Sequence, residues 1–417
     1  MAPSTLLAML ALGAPVEPAN LPTWPQWRGP ARDGTVAAKS PPWPAKLDDA
    51  SFKQLWTVDK LGPSYSGPIV ATDLVFTTQT VDKKTEIVTA YDRKTGKEKW
   101  KQDWEGSHKV AFFAEKNGSW IRSTPAFDGE RLYVGGIRDV LVCLDAAKGK
   151  ELWRYDFAKE LKTPLPDFGF VCSPLVDDKA VYVQAGGGFC KLDKLTGKLL
   201  WKALDDGGGM MGSAFSCPVK AKFGEKEQFV VQTRTTLYGV DIETGKELWK
   251  KAIPSFRGMN ILTPVVQGDL VFTSTYGGTT QGFTVKASGD GLRTEDAWSF
   301  KYEGNMTTPV VVDGYAYYLG KDRKAICVDL KNGKEAWRSE KAFGEYWSLV
   351  ANGDRILALD CKGKLLLLKA NPKEFELLDE RVVTKNETWA HLAVCGEEVF
   401  IRDLFGLTVH RWSAPAK

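Results

Sequence analysis

One phrase is written five times in this chain: "YDRKTGKEKW" (91–100), "LDAAKGKELW" (144–153), "LDKLTGKLLW" (192–201), "VDIETGKELW" (240–249) and "VDLKNGKEAW" (328–337). The Trp that closes it marks a wider series: Trp56, Trp100, Trp153, Trp201, Trp249, Trp298 and Trp337, at steps of 44, 53, 48, 48, 49 and 39 residues. A period of about 47 residues belongs to a four-stranded propeller blade or a helical repeat pair. The local pattern decides for strands. Each phrase follows a short β-branched or aromatic run such as "LVFTTQ", "RLYVGG" or "AVYVQA", bounded by Gly, Asp or Asn and too short for a helix.

A second phrase runs in step with the first: a Pro, an apolar run and a turn, as in "GPIVATDLVF" (67–76), "TPAFDGERLYV" (124–134), "SPLVDDKAVYV" (173–183), "TPVVQGDLVF" (263–272) and "TPVVVDGYAYY" (308–318). Cys217-Pro218 begins a divergent copy, and 349–359 and 392–401 keep the pattern without Pro, which makes eight inner hairpins. Pro at the first residue of a strand spares the ladder. In the outer hairpin, Asp accepts from the backbone N–H groups ahead of it and Gly supplies the positive φ. The Trp is expected to fill the wedge between blades.

"FELLDER" (375–381) reads as an outer strand that has lost its Trp. "LTVHRW" (407–412) ends a blade one strand short, and "FKQLWTV" (52–58) is an outer strand with no blade before it. Pairing the two closes the ring and removes its edges. The expectation is an all-β, eight-bladed propeller over 52–412, preceded by an extension (21–51) packed on it. A count of seven is the alternative, since "TVKASGDGLRTEDAW" lacks the Asp-x-x-Thr-Gly core.

Residues 1–20, with the apolar run "LLAMLALGA", read as a secretion signal that lacks a basic start, since no Lys or Arg precedes Arg28. No Cys follows that run, and no later segment is long and apolar enough to span a membrane. A periplasmic or secreted monomer is expected. A net charge of +4, with much of the Lys in the Gly-Lys turns, argues against a nucleic-acid partner. The three His (His108, His391, His410) lack metal-ligand spacing, so no protein-held metal is expected. Of seven Cys, Cys172 and Cys217 occupy nearby positions in successive repeats and are the pair to consider for a disulfide; an odd count describes no disulfide scaffold.

These phrases resemble the tryptophan-docking repeats of the pyrroloquinoline quinone (PQQ) propeller superfamily, over about residues 52–412. The segment "WPQWRGPARDG" (24–34) resembles the first segment of exported members, which implies that it packs against the propeller with Trp24 and Trp27 buried. The superfamily holds dehydrogenases that use PQQ and calcium. It also holds partner-binding propellers without a cofactor, such as the barrel-assembly subunit. In the dehydrogenases, Glu and Asn hold the calcium, an Asp is the base, and a Trp lies beneath the quinone. Asn260, Asn305, Glu303 and Glu345 are available here, but no Asp stands at a matching position, and the adjacent Cys-Cys pair of many alcohol dehydrogenases is absent.

The loops leading into the inner strands are aromatic, with polar groups interleaved. They nominate Tyr65, Trp120, Arg122, Phe170, Phe215, Arg257, Asn260, Asn305, Trp347 and Trp389 as a surface for a protein, or for a small planar or sugar-like ligand. The same rings could instead plug the channel. "DDGGGMMGS" (205–213) precedes a strand rather than a helix, so it is no phosphate loop. The expectation is a binding or scaffold module with no catalytic residues and no cofactor, the alternative being a PQQ- and calcium-dependent dehydrogenase of alcohols or sugars.

Overall fold

The apolar runs and their turns form eight four-stranded antiparallel sheets. They are seen in a computed structural model that describes residues 21–37, 40–205, 214–289, 291–304 and 306–413. Blade one consists of Ile69–Val70, Leu74–Val81, Thr85–Asp92 and Glu98–Glu105. Blades two to seven follow at 126–156, 175–203, 219–252, 265–300, 310–342 and 347–382. Ala393–Cys395, Glu398–Arg402 and Leu407–Trp412 supply three strands of blade eight, and Phe52–Val58 supplies the fourth. The closing register runs from Phe52 opposite Trp412 to Val58 opposite Leu407. The count is eight, so the seven-blade alternative falls. Blade five replaces its missing turn with a long hairpin, Thr280–Ser288 and Gly291–Phe300.

The turn phrase builds the seat for the neighbouring blade's indole. Asp193 Oδ1 accepts from Thr196 N and Oγ1, both at 2.8 Å, and these bonds hold its carboxyl below the usual range. Gly197, at φ 72°, lies against the ring of Trp153 from the preceding blade; a Cβ there would stand 2.5 Å from Cε3. Trp153 Nε1 donates to Lys194 O, the residue after the Asp, at 3.1 Å. The seat recurs for Trp56 on Gly96, Trp100 on Gly149 and Trp298 on Gly333, with each indole donating to the carbonyl after the Asp. Trp201 lies on Gly245 in the same way, without a partner for its Nε1. The glycine therefore serves twice, for its positive φ and for the space a side chain would fill.

Two seams depart from this pattern. Blade five has no such turn, so Trp249 donates to Gln228 Oε1 in its own blade (2.6 Å) and packs on Phe283. In blade seven, Asp379 stands opposite Leu367 where a Trp would dock, and accepts from Leu47 N at 2.8 Å. The seam is filled by Trp43 and Leu47, both buried in one cluster with Phe52 and Trp412. Trp337 docks on Asn371 O at 2.7 Å.

At the closure, His410 stacks on Phe52 with centroids 4.7 Å apart and planes 3° apart, fully buried. Burial, with Arg381 adding to it, pushes its pKa down to about 4. An unfolded histidine titrates near 6.5, so the folded value is depressed. Its contribution is present above pH 6.5 and is lost as pH falls towards 4, on the order of 3 kcal/mol in all. His410→Phe is expected to remove that part of the acid sensitivity while keeping the stack. Melting curves between pH 7.5 and 4.5 check this, and equal slopes for both proteins would refute it.

Candidate functional site

In an antiparallel meander, the loops from one blade's outer strand to the next blade's inner strand all emerge on one face. The Asp…Gly turns lie on the other. The channel is entered from the turn side by residues 24–36. Trp24 bridges Val70 of blade one, and Pro25 O accepts from Phe127 N of blade two (2.7 Å). Gln26 Oε1 accepts from Val176 N of blade three, and Thr35 bridges Ala351 of blade seven.

Two guanidinium groups anchor this segment inside the ring. Arg28 donates to Thr308 O (2.8 Å), Pro309 O (2.5 Å) and Asp33 O (2.5 Å). Arg32 donates to Pro174 O (2.7 Å) and Ser173 O (3.1 Å). Burial lowers both pKa values, that of Arg28 to about 10. Their charged planes lie 5.5 and 5.8 Å from the Trp27 ring centroid.

Trp27 thereby becomes the floor of a blind funnel of about 460 Å³ that opens on the loop-bearing face. Its walls are Tyr65, Phe168, Phe215, Tyr346, Trp347 and Trp389, with Met259 and Met306 between them. Trp389 stacks on Tyr346 at 5.9 Å and 17°, and leans on Tyr65 at 5.7 Å. Trp120 stands edge-on behind Tyr65 at 5.4 Å, and the Arg122 guanidinium lies 5.1 Å from the Tyr65 centroid. Arg122 donates to Gly118 O (2.6 Å) and Asn117 O (3.3 Å), while its Nε has no partner. Burial pushes its pKa down to about 10 and raises that of Tyr65 to about 12, so both stay protonated at neutral pH. His391 borders the floor; burial, then Arg28, lowers it to about 3, and it is neutral.

Of the residues nominated from sequence, Tyr65, Arg122, Phe215, Trp347 and Trp389 line the funnel, and Trp120 supports it. Phe170 does not reach it. In the loop ahead of blade three, a turn over Pro166–Gly169, with Gly169 at φ 73°, sets Phe168 toward the funnel, while Phe170, two residues on, packs with Phe157 in the core, 1 % exposed. Asn260 is buried as well; its Nδ2 donates to Arg234 O and Ile253 O and ties the loop down, while Met259 faces the funnel. Arg257 is exposed beside Phe256 and does not line the funnel. Asn305, most of the Gly-rich loop and the secretion signal lie outside the described residues. Trp24 is buried, whereas Trp27 is half-buried because one face of its ring is open to the funnel. Sequence reasoning missed Trp27 as a wall, and with it Met259, Met306 and Tyr276. The only signal was that Met259 and Met306 precede inner strands and that Trp27 lies in the 24–34 segment; Tyr276, between Leu270–Ser274 and Thr280–Ser288, had none.

Cys172 and Cys217 are both free thiols at the seam of blades three and four. Cys217 borders the funnel, and its Sγ accepts from Ser173 N at 3.3 Å. Burial alone would raise this thiol. The Cys172 S–H and the Arg32 guanidinium outweigh burial and hold it low, at about 6, while Cys172 is pushed up.

Calcium takes six to eight oxygen ligands, several of them carboxylate. The funnel walls offer one carboxylate, Glu345, and no group of three His, Cys, Asp or Glu among the described residues is placed to hold a metal. Flat walls suit a ring system, but this donor set does not fit the calcium that a quinone site of the dehydrogenase type needs.

Docked indoles at the seams, a closing N-terminal strand and a blind apolar funnel define a PQQ-like repeat propeller. More narrowly, the chain belongs to the family described as outer membrane protein assembly factor BamB, which matches residues 30–112 and 84–339. It is 22% identical over 286 residues to the BamB of Yersinia pestis, covering 68% of this chain and 59% of that one. It is 25% identical to that of Moranella endobia, covering 67% and 69%. The matched region thus spans about three fifths of the length of the Yersinia relative. Among solved structures, BamB from Moraxella catarrhalis superposes with a TM-score of 0.61 at 15% identity, over 88% of this chain and 99% of that one. Quinohemoprotein alcohol dehydrogenase from Comamonas testosteroni gives 0.62 at 13% identity, over 96% and 82%. Two such different proteins share the ring, so the fold alone does not choose an activity. Among the described residues, no helix is long and apolar enough to cross a membrane.

Proposed function

We propose that the chain is a non-catalytic scaffold in the assembly of outer membrane proteins. It acts as an exported monomer that holds a protein partner on its loop-bearing face. The observation that carries this is the funnel. Among the described residues, rings and methionines surround one arginine and one glutamate, the mixture of rigid anchors and adaptable fillers found at partner-binding surfaces. The blind floor stops anything that enters, so the partner contributes a projecting apolar side chain rather than a threaded segment.

Trp389 and Tyr346 form the largest stacked pair on the wall and are the expected hot spot. Replacing both by Ala is expected to weaken partner binding at least ~30-fold, the effect of losing about 2 kcal/mol at an anchor. In the native cell, deleting the chain should lower the levels of outer membrane proteins. The wild-type chain should restore them and the double variant should not. Unchanged levels on deletion, or equal rescue by both, would overturn the reading.

A further inference from the structure

Seven cysteines are buried, and six of them do not border the funnel. Cys217 is different in three respects. It borders the funnel, which is the route by which a small reagent would reach it. Its sulfur accepts from Ser173 N, the residue directly after Cys172, at 3.3 Å, and both cysteines lie in one cluster at the blade three–four seam. Arg32 lies beside it and pairs with no carboxylate among the described residues, its guanidinium donating to the carbonyls of Ser173 and Pro174 and to Gln26 Oε1. A buried guanidinium without an anion is costly, and a thiolate supplies the missing negative charge.

We propose that Cys217 is a reactive thiolate at the floor of the funnel and that Cys172 is its resolving partner, the two forming a cross-blade disulfide when a small disulfide oxidant enters. The Cys217 thiolate attacks one sulfur of the oxidant, R–S–S–R, joins to it and expels R–S⁻. Cys172 then loses its proton and attacks Cys217 Sγ, expelling the second R–S⁻. Two cysteine sulfurs are oxidised, one disulfide is reduced to two R–SH, and the protons on the products come from Cys172 and from solvent. The proposal does not depend on the partner-binding reading.

The test uses the full chain and two small uncharged probes. With iodoacetamide at pH 7, peptide mapping is expected to find Cys217 alkylated at least ~100-fold faster than the other six. With 2-hydroxyethyl disulfide, two of the seven thiols should disappear and a Cys172–Cys217 linked peptide should appear. Cys172→Ser should instead trap a hydroxyethyl adduct on Cys217. The wild-type result is decisive even if that variant does not fold. Uniform protection of all seven thiols, or a different linked pair, would overturn the proposal.

Discussion

Trp153→Ala is expected to destabilise the ring by about 3 kcal/mol, the scale for removing a large packed aromatic. The indole is only half-buried, so area alone would predict less. It also gives up its bond to Lys194 O, its contact with Tyr133 at 5.9 Å and the filling of the space above Gly197. Gly197→Val attacks the same seat from the other side, through both its positive φ and the position its Cβ would take. It is expected to cost a similar amount. Because either change empties one contact, the double variant should cost clearly less than the sum. Leu200→Ala, on an exposed neighbour, should stay within about 0.5 kcal/mol. Urea unfolding of the four proteins checks this. A Trp153→Ala loss below 1 kcal/mol would show that the seams are held by something other than docked indoles.

The second large effect concerns closure. A chain starting at residue 59 lacks the fourth strand of blade eight and the segment that ties blades one, two, three, six and seven across the channel. It leaves the strand Leu407–Trp412 with an unpaired edge and strips cover from Val409 and Trp412. Such an edge pairs with other chains. The truncated protein is expected to lose its single sharp unfolding transition and to associate. A peptide covering residues 43–58, which also returns Trp43 and Leu47 to the blade-seven seam, should partly restore the monomer. Size-exclusion chromatography and thermal melts read this out. A soluble truncated monomer with an unchanged transition would contradict it.

The ring was legible because a propeller writes each blade in the same words. The spacing of Trp100, Trp153, Trp201 and Trp249 gave the period, and the incomplete blade at 393–412 pointed to 52–58 as its missing strand. Where the words change, the physics changed with them. Trp249 has no Asp…Gly turn to dock on and turns inward to Gln228, and no sequence pattern foretells that partner. The funnel was legible only in part. Its loops turn rather than run as strands, with Gly169 at φ 73° and Arg257 and Gly258 at φ 54° and 68°, and nothing in "PDFGF" or "RGMN" says which of Phe168 and Phe170, or of Met259 and Asn260, is turned inward. The floor was hidden more deeply. Trp27 reaches the channel because Arg28 and Arg32 cap carbonyls more than 140 residues away, a tertiary fact without a local signature.

Photo-crosslinking in the native cell tests the central claim, that the loop-bearing face is the recognition surface, most directly. A crosslinking amino acid placed at Phe112 or Phe256, exposed by 82 % and 53 % on that face, is expected to capture one protein partner. The same probe at Leu195, exposed by 56 % on the opposite turn face, should capture none. A partner captured from Leu195 and not from Phe112 or Phe256 would contradict the account.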